Sequence, residues 1–168
     1  NSLTDKRVIM KLYEASQAGI RVDLIIRGIC CLKPQVPGVS DNIHVRSIVG
    51  RFLEHSRIYY FHHNGDENLF LSSADMMTRN MIKRIEIEFP ILDKAIKKEI
   101  LSLMDVYLAD NTKARELHLD GTYRHVRNDR PAVDAQKYFM ELANKEKEIP
   151  ILSEKDSWLK KIQRRFKK

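Results

Sequence analysis

A helical segment followed within three residues by a buried-strand signal is the feature that most restricts the fold of this chain. Ser2 or Thr4 can cap the first segment, and Asp5 suits its positive end. Gly19 ends it. The run 22–26 consists of β-branched residues and leucine, interrupted by one aspartate, and predicts a central parallel strand covered on both faces. A helix that leads directly into such a strand is typical of α/β folds.

Local signals predict the elements that follow. Residues 31–43 contain prolines, a glycine and Ser-Asp-Asn, and predict a loop ending in helix-capping chemistry. Helical spacing of the next apolar residues predicts a helix that leads up to His55; these residues are Val45, Ile48, Val49, Phe52 and Leu53. After it, Asn64-Gly65 predicts a hairpin between two strands.

Three further elements are expected in the second half. Residues 83–91 alternate like a strand until Pro90, and residues 93–109 predict an amphipathic helix capped by Asp93. Another helix is expected over 133–145. We therefore predict one α/β domain over residues 1–150 and a basic amphipathic tail over residues 151–168.

The positive charge of the chain is concentrated in this tail. Residues 154–168 hold seven Lys and Arg against two Asp and Glu, so they supply +5 of the total of +7. The overall charge therefore says little about the partner of the domain. Apolar residues lie along one helical face of the tail, which either docks on a partner or remains solvated: Trp158, Leu159, Ile162 and Phe166.

The compartment is predicted from cysteine usage and apolar run lengths. Cys30 and Cys31 are adjacent and have no third cysteine as a partner, which indicates two reduced, mostly buried thiols of a cytoplasmic protein. No apolar run is long enough to span a membrane, although peripheral association with a membrane is kept open. The chain begins without methionine, and we expect it to be part of a longer polypeptide.

Three segments carry groups that suit phosphate. Arg27 lies just past the predicted buried strand, where open α/β sheets place their ligands, and Gly28 would let a ligand approach closely. His55 and Arg57 are expected on one side of the following strand, as a titratable ring beside a fixed cation. Ordinary structural roles explain each of these residues about as well.

The third segment, "LSSADMMTRN", offers hydroxyl, amide and guanidinium donors in a turn after a strand. Its candidate phosphate contacts are Ser73, Arg79 and Asn80, although capping and turn chemistry would account for them equally. No Walker loop, dinucleotide glycine pattern or nucleophile elbow occurs, and no metal-ligand spacing is evident.

Long motifs in these segments resemble one family. "VDLIIRGICCL", "PGVSDNIHVRSIVGRFLEHSRIYYF" and "LFLSSADMMTRNMIKRIE" closely resemble the C-terminal catalytic domain of bacterial polyphosphate kinase, and the likeness covers roughly three quarters of the chain. The resemblance implies a phospholipase D-like fold, with a mixed β-sheet flanked by helices on both faces. It also implies reversible transfer of the terminal phosphate of ATP to inorganic polyphosphate, with Mg²⁺.

The resemblance also implies roles for single residues. Arg27 matches an arginine that contacts the nucleotide phosphates, and His55 matches the second active-site histidine. The histidine that becomes phosphorylated would lie in a preceding domain, as would the magnesium-linked and adenine-contacting residues. Phospholipase D-like motifs read His-x-Lys followed by Asp; here Arg57 takes the Lys position and no Asp follows at the expected offset.

The predicted mechanism gives Arg27 the task of clamping phosphate oxygens. His55 either donates a hydrogen bond to the phosphate or the departing ADP oxygen, or protonates it. The expected partners are ATP or ADP, polyphosphate, the other domains of a parent chain and further copies of that parent, with no nucleic acid. Two alternatives stay open: half of a phospholipase D-like phosphodiesterase or nuclease, and a non-catalytic module that binds polyphosphate or nucleotide.

Overall fold

The computed structural model describes residues 1–146, so the tail face at Trp158–Phe166 lies outside the described residues. The chain divides into two compact units, residues 1–135 and residues 136–168. Most elements belong to the first unit: α1 (Lys6–Gln17), β1 (Val22–Ile25), β2 (Ile43–Ser47), β3 (Ile58–His63), β4 (Asp66–Ser72), α2 (Thr78–Ile82), β5 (Glu88–Pro90), α3 (Lys94–Ala109), β6 (Arg115–Leu117) and β7 (Tyr123–His125). The helix α4 (Ala135–Glu146) begins at the end of that unit and continues into the second.

The strands of the first unit form two sheets. The first has the order β1-β2-β6-β7, with β1 parallel to β2 and the remaining pairs antiparallel. The second is the antiparallel sheet β3-β4-β5. The predicted α/β class and mixed sheet are confirmed. The short strands β6 and β7 were not predicted, because a strand of three residues is too short to show periodicity.

The helices α1 and α3 lie where local signals predicted them, whereas one helix cap and one strand differ from the prediction. The carboxylate of Asp5, not Ser2 or Thr4, caps α1 by accepting from the backbone N–H groups of Arg7 and Val8 at 3.0 and 3.2 Å. Asp93 caps α3 as expected. The strand predicted over 83–91 is confirmed only for Glu88–Pro90.

The helix predicted from Val45 to Leu53 is wrong. Ile43–Ser47 is a strand that pairs residue for residue with β1, from Val22 opposite Ile43 to Ile25 opposite Arg46. Residues 48–57 follow without regular structure, and Val49 and Leu53 are each 66% exposed. The helical spacing was a coincidence, because pairing with β1 and burial of alternate residues overrides it.

Strand β1 is not the central strand that its apolar run predicted. It lies at the edge of its sheet within the described residues, and Val22, Leu24 and Ile25 are only half-buried. The main hydrophobic cluster of the first unit draws its residues from α1, β2, β6 and the segments beside β1: Leu3, Ile9, Ile26, Leu32, Ile43, Val45 and Leu117. Cys30 is half-buried and Cys31 is exposed, so only one of the two thiols is sheltered; both are free.

Candidate functional site

Arg27 leaves the sheet immediately after β1. The backbone N–H of Ile26 donates to the carbonyl oxygen of Arg46 at 2.8 Å, so the parallel pairing of β1 with β2 continues one residue past the end of β1. The half-buried Arg27 side chain then donates from Nε to the backbone carbonyl of Glu54 at 3.0 Å. Within residues 1–146 its two Nη nitrogens have no hydrogen-bond partner. The side chain is therefore held in place at Nε, and its two Nη nitrogens can donate hydrogen bonds to a further acceptor.

Gly28 is a point of close approach, although the chain itself fills the space. A Cβ at Gly28 would lie 2.6 Å from Ser2 Oγ and 3.0 Å from the carbonyl oxygen of Asn1. The Gly28 N–H donates to that same carbonyl at 2.9 Å. The glycine thus allows the first residues of the chain to pack against the end of β1, and does not leave room there for a ligand.

A shallow depression of roughly 330 Å³ lies beside Arg27. Its wall is the irregular segment 48–54, and the guanidinium of Arg51 lies 5.6 Å from the centre of the Phe52 ring. The opposite end of this segment is held by Glu54, whose carboxylate accepts from the Tyr107 hydroxyl at 2.6 Å. The segment that ends at His55 is therefore tied both to Arg27 and to α3.

His55 and Arg57 are in contact, but not for the predicted reason. Both precede β3, which begins at Ile58, so strand alternation does not align them. The Nη1 atom of Arg57 lies 2.9 Å from Nδ1 of the exposed His55 ring and 3.0 Å from the His55 carbonyl oxygen. The other side of the guanidinium faces Asp75, with Nε 3.1 Å from Oδ1 and Nη2 3.3 Å from Oδ2.

Asp75 is buried and ionised. Burial by itself would raise the pKa of Asp75, but hydrogen bonds from Arg57 and Asn1 outweigh it and hold that pKa below its ordinary value. Sequence reasoning missed this residue because it sought a carboxylate at a fixed offset after His55. The only signal was the aspartate within the "SSADMM" turn, and its contact with Arg57 depends on how β4 ends.

Within residues 1–146 the remaining candidates from that turn form no hydrogen bond to His55. Ser73 Oγ and Asn80 Nδ2, the latter at 2.5 Å, both donate to the carboxylate of Glu86. Both hydrogen bonds lower the pKa of Glu86, and the one from Ser73 has the larger effect. Arg79 is exposed, and within the described part of the chain its side chain has no hydrogen-bond or ion-pair partner. Of the turn residues, Arg79 alone offers a guanidinium that the described residues leave unengaged.

The residues near this cluster do not fit a magnesium site. Over residues 1–146 no group of three or more His, Cys, Asp or Glu side chains could hold a metal ion. Nearby carboxylates are already engaged: Asp75 by Arg57 and Asn1, Glu86 by Ser73 and Asn80, and Glu54 by Tyr107.

These features define a mixed α/β domain whose loops bring a half-buried arginine, Arg27, next to a histidine–arginine–aspartate cluster. Residues 1–136 match the family model described as polyphosphate kinase C-terminal domain 2. The chain belongs to the polyphosphate kinase family.

Relatives and a solved structure agree with this membership. The polyphosphate kinase of Staphylococcus haemolyticus is 53% identical over all of this chain and 25% of the relative, and that of Bacillus cereus is 58% identical over 85% of this chain and 20% of the relative. The crystal structure of polyphosphate kinase from Porphyromonas gingivalis matches with a TM-score of 0.82 and 45% identity, over 88% of this chain and 23% of that one. The chain thus spans about a quarter of the length of these proteins.

Proposed function

We propose that this chain supplies one half of the active site of a phosphotransferase that moves the terminal phosphate of ATP reversibly onto inorganic polyphosphate. The observation that carries the proposal is Arg27, which is anchored through Nε on the Glu54 carbonyl while its two Nη nitrogens have no partner within residues 1–146. A planar guanidinium held in this way can bind two phosphate oxygens at once and is always charged.

Arg27 and His55 then act on the same phosphate group from adjacent positions. Glu54, whose carbonyl oxygen accepts from Arg27 Nε, directly precedes the exposed His55. We infer from this adjacency that the imidazole reaches a phosphate bound by the Nη nitrogens. In a loose, in-line transition state, charge is spread over the phosphoryl oxygens, and fixed donors on those oxygens lower the barrier. We place Arg79 further along the polyphosphate chain and assign Arg57, Ser73 and Asn80 to support of the site.

The rest of the reaction requires groups outside residues 1–146. We propose that the nucleophilic histidine, the residues that contact adenine and the ligands of Mg²⁺ belong to other domains of a parent polypeptide, which works as a homo-oligomer in the cytoplasm. None of the helices in residues 1–146 has the length and apolar character that crossing a membrane requires.

The test uses a full-length polypeptide that contains this domain, with Arg27→Ala, Arg27→Lys and the matched control Arg21→Ala. Arg21 is also an arginine of the β1 segment, but its fork is paired with Asp23 at 2.7 and 3.1 Å. We expect Arg27→Ala to lower kcat/KM for ATP-dependent polyphosphate synthesis by about 10- to 100-fold, the range for loss of a charged hydrogen bond. Arg27→Lys should recover part of this loss, because it restores the charge but not the fork.

Equal activity of Arg27→Ala and Arg21→Ala would refute the role of Arg27. A phosphodiester substrate provides the other arm of the experiment: hydrolysis that disappears with His55→Ala would favour the phosphodiesterase alternative. Binding of polyphosphate with no turnover in either direction by the full-length polypeptide would favour the non-catalytic module.

A further inference from the structure

We propose that Asp75 and Arg57 are positioning residues that hold His55 in the neutral tautomer with its proton on Nε2, so that the ring serves the phosphate as a hydrogen-bond donor and not as an acid. The inference deepens the proposed function and rests on it for the identity of the phosphate. Its structural basis is one continuous set of contacts, from Asp75 through Arg57 to Nδ1 of His55.

The tautomer follows from the chemistry of arginine. A guanidinium has only N–H donors and no acceptor, so the contact of 2.9 Å between Arg57 Nη1 and His55 Nδ1 requires a lone pair on Nδ1. In a neutral imidazole the single proton then lies on Nε2. Within residues 1–146 the Nε2 atom has no hydrogen-bond partner, and the ring is exposed. The free N–H therefore faces away from Arg57.

Asp75 keeps the guanidinium in the orientation that this contact needs. The Asp75 side chain is 4% exposed, and its carboxylate accepts from Nε and Nη2 of Arg57. Nη1 of Arg57 therefore remains available for His55. A two-point pair fixes the plane of the guanidinium as well as its position. The negative charge of Asp75 also balances the cation beside the imidazole, in a site where the Arg57 side chain is only 15% exposed.

The turn that carries Asp75 is itself held from several directions. Asn1 Nδ2 donates to Asp75 Oδ2 at 2.8 Å, and the backbone N–H of Thr4 donates to Met76 at 2.9 Å. The hydroxyl of Tyr59 donates to the carbonyl of Ala74 at 2.8 Å. Burial raises the pKa of Tyr59 to about 12, so this hydroxyl keeps its proton at neutral pH. A carboxylate on so constrained a turn can orient its partner with little loss of precision.

The tautomer decides between the two roles open to His55. A neutral ring with N–H at Nε2 can donate a hydrogen bond to a phosphoryl oxygen, but release of that proton would leave an imidazolate. A doubly protonated ring could act as an acid, yet its Nδ1–H would point at an N–H of Arg57 and the contact would be lost. The geometry therefore supports stabilisation of transferring phosphoryl oxygens by donation, with the proton remaining on His55.

The tautomer can be measured without any turnover. In two-bond ¹H–¹⁵N correlation spectra of the 168-residue chain, the signals of His55 are assigned by their loss in His55→Asn. At a pH where the ring is neutral, we expect the pattern of an Nε2–H ring in the wild type. Asp75→Asn should introduce a measurable Nδ1–H fraction, and Asp75→Glu should restore most of the original pattern. The matched control is Asp120→Asn, which breaks an exposed pair with Arg124 and should leave His55 unchanged.

The second arm measures polyphosphate synthesis by the full-length polypeptide. We expect Asp75→Asn to lower kcat by about 10- to 100-fold with a smaller change in KM, as for other residues that orient an active-site histidine. A wild-type spectrum with the proton on Nδ1 would overturn the inference whatever the variants do. So would an Asp75→Asn chain, folded by its amide spectrum, that keeps the wild-type tautomer. The expected tautomer combined with full activity of His55→Asn would instead refute the proposed function.

Discussion

Replacing Asp110 by alanine removes the acceptor of four backbone N–H groups at the end of α3. Asp110 is completely buried, and its Oδ1 accepts from Thr112, Lys113 and Ala114 at 3.0, 2.8 and 2.9 Å. Its Oδ2 accepts from Ala135 at 2.8 Å. Thr112 and Lys113 are exposed residues whose amides can turn to water, whereas Ala114 and Ala135 are completely buried.

The expected loss of stability follows from those two buried amides. Each buried donor left without a partner costs about 1–3 kcal/mol, so Asp110→Ala should lower the free energy of unfolding by about 2–6 kcal/mol. Asp110→Asn retains one oxygen for the first three amides but presents an N–H to Ala135. It should therefore cost about 1–3 kcal/mol, the price of one buried donor.

Urea unfolding of the 168-residue chain, followed by far-UV circular dichroism, measures these differences. The matched control is Asp120→Ala, which removes an exposed carboxylate that accepts from Thr122 and Arg124. We expect its midpoint to move less than that of Asp110→Asn. A loss below about 1 kcal/mol for Asp110→Ala, at an unchanged m-value, would contradict the reasoning. Equal losses for the alanine and asparagine variants would show that the two oxygens do not act separately.

Two further predictions concern the hairpin and the acid limb of stability. Gly65 has φ +89°, and a Cβ there would meet nothing within 4 Å. Gly65→Ala should therefore lower the free energy of unfolding by about 1–2 kcal/mol, from backbone strain alone. A larger loss in urea titrations would indicate a steric clash instead. The folded-state pKa of Asp75 lies below its ordinary value of 3.8, so the stability from its ionised form is present above pH 3.8 and is lost as the pH falls through the folded pKa. The melting temperature, measured from pH 6 down to pH 2, should therefore fall less steeply for Asp75→Asn than for the wild type. Parallel curves of melting temperature against pH would exclude this linkage.

The elements that the sequence predicted correctly are those whose signals lie within a few residues. Asp93 caps α3 from the adjacent position, and Asn64-Gly65 adopts the left-handed conformations, φ +48° and +89°, that a tight hairpin needs. Arg27 was correctly expected just past a strand end, because that expectation needs only the boundary of β1. Its role in phosphate binding stays a prediction.

The segment around His55 could not be predicted from spacing. The apolar residues from Val45 to Leu53 fit a helix, but β1 lies alongside and supplies parallel pairing for Ile43–Ser47. Strand pairing depends on which segments meet in space, and periodicity within one segment does not report it. The expectation that His55 and Arg57 share a strand face therefore failed, although the two side chains do meet.

By itself the sequence determined the α/β class, the hairpin, the helices α1 and α3 with the Asp93 cap, and the family resemblance, since each depends on residue types at short and regular separations. Only the tertiary structure decided the edge position of β1, the strand in place of a helix before His55, and the union of Asp75 with Arg57 across 18 residues. The physical reason is that a buried carboxylate finds its cation through the packing of the chain, at a distance that no local pattern encodes.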